Sequence, residues 1–417
     1  MPVATKETKP RKLRENTAFS EEPYASSREH LFDELRWLNR LLAIYVLRLR
    51  HVHFYEKLRD FRGLFIADDE IDALMAAGIF EKNGKVSEDD RSKNIKKLRT
   101  QALSQRKQID NRVEQSLANN KNLPLKQLQK IFNLTDFEVH TLLICIAPLL
   151  DARYKKLYAY LQNDITRKIA SLDLILDLLC EGPEERLHNL QSFHKTSPLR
   201  HYSLLHGAEN NSDAPIFHDI YQVDPRIIHY ILGQRVVDER LESHLRFLPP
   251  LAWENVVIAN ETKARFQMLV DSILSRQEAM ILYLSGREGV GKKTIARAVC
   301  ADLALPVAVT DLRGLFQDGD GFQENLRLIL REGLLQPCAL CFEHFEKLEH
   351  AAAENPALFT SFIHELENLG WIIFICSENP MPAQLLDLKT VYAFEMPAPA
   401  YKMQVGLWKR CLASAAS

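Results

Sequence analysis

No apolar stretch of this 417-residue chain is long enough to span a bilayer, and the basic N-terminus (Lys6, Lys9, Arg11, Lys12, Arg14) has no apolar core behind it to make a secretory signal. The expectation is a cytoplasmic protein with no membrane partner. An excess of one charge is also lacking. Lys and Arg number 53 against 55 Asp and Glu, a formal charge of −2, so no long-range field draws the chain to nucleic acid or to an anionic surface. Cysteines are few, at 145, 180, 300, 338, 341, 376 and 411, mostly inside apolar segments. The Cys338/Cys341 pair has neither a second pair nor suitably spaced histidines, which argues against a zinc site and for reduced core thiols. What is present, 46% hydrophobic and 26% charged residues, is the composition of a globular chain with room for two or three domains.

Along the chain, residues 1–27 are polar, charged and proline-containing and read as a disordered tail. From Glu29 to about Arg59, Leu31, Leu35, Leu38, Leu41, Leu42, Tyr45, Val46 and Leu49 recur at helical spacing, which predicts a long amphipathic packing helix. Residues 81–107 have almost no large apolar side chains and read as a loop entering a charged helix, an internal joint. An N-terminal helical region is therefore assigned to 28–107 and a winged-helix-like helical domain to 108–247. In the latter, Leu123 to Phe132 is a short helix, Asn133-Leu134-Thr135-Asp136 a turn with a helix cap, and Phe137 to Leu150 a very apolar second helix. Further helices are predicted over Ser171–Cys180 and Asp224–Leu232. Between 121 and 206 there are eleven Lys/Arg and nine Asp/Glu, too balanced for a face that neutralises DNA phosphates, so contact with protein is favoured over contact with DNA. Leu248-Pro249-Pro250 reads as the hinge into a last domain, 248–417.

That domain opens with the chain's most specific pattern. Ile281-Leu282-Tyr283-Leu284-Ser285 is a buried-type strand, and Gly286-Arg287-Glu288-Gly289-Val290-Gly291-Lys292-Lys293-Thr294 is a glycine-rich phosphate-binding loop, or P-loop, running into a helix. The glycines let backbone N–H groups turn inward around a polyphosphate, the helix aims its positive end there, and Lys292 is placed to reach the phosphates. A hydroxyl is missing. Ser or Thr should follow the lysine to hold Mg²⁺, but Lys293 stands there, with Thr294 one step late. Strands and helices then alternate: Pro306–Leu312, Cys338–Glu346, Trp371–Pro380 and Val391–Pro397 are the second to fifth strands, the third ending in acid and the fourth in polar Ser377 and Asn379. The expected fold is an α/β P-loop domain with a five-stranded parallel sheet behind a mostly helical region.

Residues 250–410 resemble the AAA+ ATPase family. More narrowly, the chain is similar to the first half of AAA+ proteins encoded with extracellular contractile injection systems, which are phage-tail-like particles. Three stretches carry this: Leu31-Phe32-Asp33-Glu34-Leu35-Arg36-Trp37-Leu38, Ala147-Pro148-Leu149-Leu150-Asp151-Ala152-Arg153-Tyr154 through Leu161, and Leu284 to Lys292. The resemblance implies a helical, winged-helix-containing region and a degenerate first ATPase domain, with an intact second domain not found in this sequence and a truncated helical lid. It implies ATP or ADP as ligand, a homo-oligomer (a hexamer in the fullest form) or a second AAA+ domain as partner, and a protein substrate or injection-particle component.

By the same resemblance Glu343 stands where a metal-holding Asp is expected and His344 where a water-orienting Glu is expected, while Ser377 and Asn379 take the phosphate-sensing positions. No arginine lies between Ser377 and Tyr401, so the finger that stabilises transferring phosphate is missing. End-of-strand packing for Glu343 and His344, and a solvated side chain for Lys293, are the plainer alternatives. The expected function is nucleotide binding without hydrolysis, with Mg²⁺ in doubt; the alternatives are a slow ATPase using Glu343 and His344, and a winged-helix DNA-binding regulator switched by nucleotide.

Overall fold

The computed structural model describes residues 22–51, 88–207, 220–276, 280–315, 321–367, 372–388 and 390–398, with positions 401, 403–406, 408 and 412. The expected tail up to residue 21, the helix extension over 52–59 and the loop over 81–87 lie outside them. The chain divides into two compact units, one drawn from Met1–Phe193, Leu205–Val223 and Ile231–Gly233, the other from His194–Leu204, Asp224–Tyr230 and Gln234–Ser417.

In the first unit the helix Ser27–His51 packs along the helix Glu88–Ala118, which runs unbroken through 107, where the sequence reading ended its first region. Their interface is ionic inside an apolar frame. Arg112 bonds Asp33 at 2.7 Å and Glu29 at 2.5 Å and lies 4.0 Å from the centre of the Tyr24 ring, while Arg106 bonds Glu34 at 2.6 Å. Asp33 and Glu34 are buried, which is tolerable because each has a charged partner. The helix Asp136–Leu150 begins with a full capping box: Thr135 Oγ1 accepts from Glu138 N, and Glu138 accepts from Thr135 N at 2.8 Å. Strands β1 (Leu205–Gly207) and β2 (Tyr221–Val223) form an antiparallel pair, and Ser171, which caps the helix Leu172–Leu179, bridges to Ile220.

The second unit is built on a sheet of six strands: β3 (Leu245–Leu248), β4 (Met280–Ser285), β5 (Val307–Asp311), β6 (Ala339–Glu343), β7 (Ile372–Ser377) and β8 (Val391–Glu395), in the order β3-β5-β6-β7-β4-β8. This corrects the expected all-parallel five-stranded sheet. The five expected strands are parallel, but β3 adds antiparallel to the edge of β5, with Leu245 opposite Thr310 and Leu248 opposite Val307. The expected hinge thus starts on the last residue of an edge strand, which Pro249 and Pro250 end because neither has an N–H for the ladder.

Both faces of the sheet are covered. Ile281 and Tyr283 point to one core with Phe322, Leu326 and Ile329 of the helix Phe322–Leu335 and Phe345 and Leu348 of the helix Phe345–Glu354. Met280, Leu282 and Leu284 point to the other, with Phe266 of the helix Asn260–Arg276 and Ile295 and Val299 of the helix Lys292–Asp302. Alternate residues of one strand serve opposite cores, and so β4 reads as a continuous apolar run.

A charged layer holds the unit's outlying segments to the Phe322–Leu335 helix. Arg331, fully buried, donates to Asp238 and to Ser203 O at 2.7 Å and lies 3.4 Å from Asp224, while Arg226 pairs with buried Glu332 at 2.5 Å. Arg240 bonds the same two aspartates. Replacing Arg331 with Ala leaves two buried carboxylates sharing one half-exposed cation, and should lower stability by about 3–5 kcal/mol. Urea denaturation of the two proteins measures this; a loss below about 1 kcal/mol would show that Arg240 neutralises the site unaided.

Candidate functional site

The C-terminal ends of β4, β6 and β7 lie side by side, and the predicted site residues lie there because each follows one of these strands or opens the next helix. The loop after β4 is clamped on both sides. Gly286 N donates to Ser377 O at 3.1 Å and Met396 N donates to Ser285 O at 2.8 Å. Gly286 has φ +143°, and a Cβ on it would sit 2.7 Å from Met396 O, so only glycine fits. Gly289 and Gly291 also have positive φ, +83° and +98°. Gly291 precedes the Lys292–Asp302 helix, whose first turn has no side-chain cap, so backbone donors there stand ready for an anion.

The loop residues have settled on each other. Lys292 Nζ donates to Gly286 O and, at 3.1 Å, to Arg287 O. Arg287 and Glu288 are exposed, Val290 packs against the core beneath the loop, and Thr294 is half-buried on the first helical turn. Lys293 turns to the end of β6 and bonds Glu343 at 2.8 Å. The lysine in the hydroxyl position and the acid in the metal position are therefore partners. Asp311, opposite Glu343 in the β5–β6 register, is held by Arg313 at 2.7 Å. Burial pushes its carboxyl up, but the Arg313 bonds outweigh this and hold it below the usual aspartate range.

His344 follows Glu343 in a left-handed conformation, φ +59°, which is uncommon for a residue with a side chain. Its Nδ1 lies 3.3 Å from Glu346. Glu346 is buried and also accepts from Glu378 N at 3.2 Å, with Ser377 Oγ 3.5 Å away. Burial raises its carboxyl, yet backbone N–H donors and His344 bring it below the ordinary glutamate value. Asn379 donates from its side chain to Glu349 at 2.8 Å. The sequence reading missed Glu346, Asp311 and Glu378. Glu378 accepts from Glu288 N in the glycine loop at 3.1 Å. Its only signal was its place between Ser377 and Asn379.

The structure thus brings together the loop, Lys292, Lys293 and Glu343. These residues suit a polyphosphate and do not suit magnesium. Mg²⁺ takes oxygen ligands, and here the ammonium of Lys293, where the sequence leads one to expect a hydroxyl, is bonded to Glu343, the acid expected to face the ion. Among the described residues no group of three or more His, Cys, Asp or Glu side chains is arranged to hold a metal, and no helix is long and apolar enough to cross a membrane.

Among solved structures, the chain is similar to one described as the structural basis for katanin self-assembly, at 13% identity, covering 43% of this chain and 66% of that one, with a TM-score of 0.35. It is also similar to the FIGL-1 AAA domain, at 14% identity over 46% of this chain and 69% of that one, TM-score 0.36. A third is C. elegans PCH-2, at 15% identity over 42% and 54%, TM-score 0.34. The chain spans just under two thirds of the katanin chain and about half of the PCH-2 chain. No curated protein matches it. A model of the variant winged helix domain matches residues 13–245, which is more than half of the sequence, and the chain belongs to that winged-helix family.

Proposed function

We propose that the second unit is a degenerate AAA+ module that holds ATP or ADP without hydrolysing it, as the scaffold or regulatory half of an oligomeric protein-remodelling ATPase. The Lys293–Glu343 ion pair carries this reading. It engages the acid that hydrolysis would need and fills with an ammonium the place where the metal's hydroxyl ligand belongs. Lys292 and Lys293 lie beside the loop, where an incoming phosphate would compete with their present partners, and the clamped glycines keep the loop in a cradle shape. The slow-ATPase alternative needs Glu343 as a metal-holding acid, and the pairing of Glu343 with Lys293 weighs against it. The strand order, with β7 between the loop-bearing β4 and the acid-bearing β6, supports the AAA+ assignment. The resemblance of the three sequence stretches makes a contractile injection particle the setting and a homo-oligomer, a hexamer in the fullest form, the working state.

For the winged-helix region the reading is protein docking. The second helix of the helix-turn-helix unit, Asp136–Leu150, has Asp136 and Glu138 in its first turn and is largely buried, which puts acid where a DNA-contacting helix needs phosphate-binding groups. In anisotropy titrations with duplex DNA, any binding should vanish as salt rises to physiological levels. Tight, sequence-selective binding at that salt would overturn this part of the proposal.

In calorimetry the full chain should bind both ATP and ADP, and Lys292→Ala should weaken binding about tenfold or more. Phosphate release should stay far below the roughly 1–10³ s⁻¹ of ordinary enzymes. Turnover near 1 s⁻¹ that disappears in Lys292→Ala would refute the hydrolysis-deficient reading.

Chelating Mg²⁺ should change wild-type nucleotide affinity less than about threefold, because the ammonium of Lys293 supplies part of the charge that the ion otherwise brings. Lys293→Thr restores a hydroxyl and frees Glu343, and its affinity should become magnesium-dependent by about tenfold, with hydrolysis still low. An equally strong magnesium requirement in both proteins would mean that Thr294 or water holds the ion.

A further inference from the structure

Glu378 sits outside every role considered so far, yet its carboxylate accepts from a backbone donor of the glycine loop, Glu288 N at 3.1 Å. The main chain that presents it is fixed. Glu378 N donates to buried Glu346 at 3.2 Å, Asn379 N donates to Ser377 Oγ at 3.1 Å, and the Asn379 side chain donates to Glu349. On the other side of the loop, Lys292 spends its ammonium on the loop's own carbonyls. One N–H of the loop is thus taken by a carboxylate and the loop's lysine by carbonyls.

We propose that Glu378 is the resident anion of the phosphate loop: it competes with nucleotide for the loop and biases the site toward nucleoside diphosphate over triphosphate. This rests on the nucleotide-binding reading above. A backbone N–H in this geometry serves one anion at a time, so an incoming phosphate must turn the Glu378 side chain away. Because Glu346 and Ser377 hold the backbone, the displaced carboxylate stays a neighbour of the phosphates. The repulsion it exerts grows with the charge of the ligand, and ATP carries one negative charge more than ADP. The penalty from the lost charge-assisted hydrogen bond is common to both ligands, on the order of tenfold in affinity.

The test uses the full chain in chelator, with ADP and ATP titrated by calorimetry into wild type, Glu378→Gln and Glu378→Ala. Gln keeps the acceptor oxygen and removes the charge; Ala removes both. Wild type should bind ADP more tightly than ATP. Both variants should tighten both ligands, ATP about tenfold and by more than ADP, with the ADP preference lost. Without nucleotide, hydrogen exchange of the Glu288–Val290 amides should be faster in Glu378→Ala than in wild type. Unchanged or weakened affinities in both variants, beside a wild type that binds, overturn the proposal and leave the nucleotide site standing. A retained ADP preference in both variants also overturns it. If none of the three proteins binds nucleotide, the underlying reading falls and takes this one with it.

Discussion

A lysine on the first turn of a helix that faces the end of a strand finds a negative partner there, and that pairing sets the character of the whole site. Lys293 reaches Glu343, and the pair links the Lys292–Asp302 helix to β6 at the point where a metal ion otherwise makes the connection. Both side chains are partly exposed, so the bond adds little to stability. Its weight lies in what it prevents. Glu343 is not free to hold a cation, Asp311 beside it is held by Arg313, and the acids behind His344 are turned toward backbone donors. Lys292, Lys293, Glu343, Asp311 and Glu346 each have an internal partner, and the proposal of binding without hydrolysis rests on that arrangement.

The fold beneath the site was legible where the physics is local. The buried strands are short unbroken apolar runs, and β4 to β8 fall where those runs do. The turn before Asp136 carries Thr135 and Glu138 three apart, a pattern that specifies its own helix start. The glycine loop was recognisable because close approach at 286 and positive φ at 286, 289 and 291 favour glycine.

What escaped the sequence depends on partners far along the chain. β3 has four residues and pairs antiparallel with a strand about sixty positions later, a choice made by the exposed edge of β5 and not by any periodicity of its own. β1 and β2 have three residues each and gain their identity only by pairing with each other. Arg331 looks like an ordinary charge on an amphipathic helix until Ser203, Asp224 and Asp238 fold over it. The roles of Glu346 and Glu378 were invisible for the same reason: each is defined by a backbone N–H that sequence spacing does not bring near.

The edge strand β3 also bears on how the protein behaves when crowded with copies of itself. An open sheet offers unpaired N–H and C=O groups at its margin, and a foreign strand can add there. β3 occupies that margin beside β5, carries the exposed charge of Arg246, and stops at two prolines that have no donor to offer. Just past it, Arg297 Nε donates to Pro249 O at 2.8 Å and Leu251 N donates to Arg297 O at 3.1 Å, so the segment is tied down and does not peel away easily. A short, charged edge strand that stops at prolines disfavours the addition of a foreign strand on this side, in a stretch that its sequence presents only as a proline-rich joint.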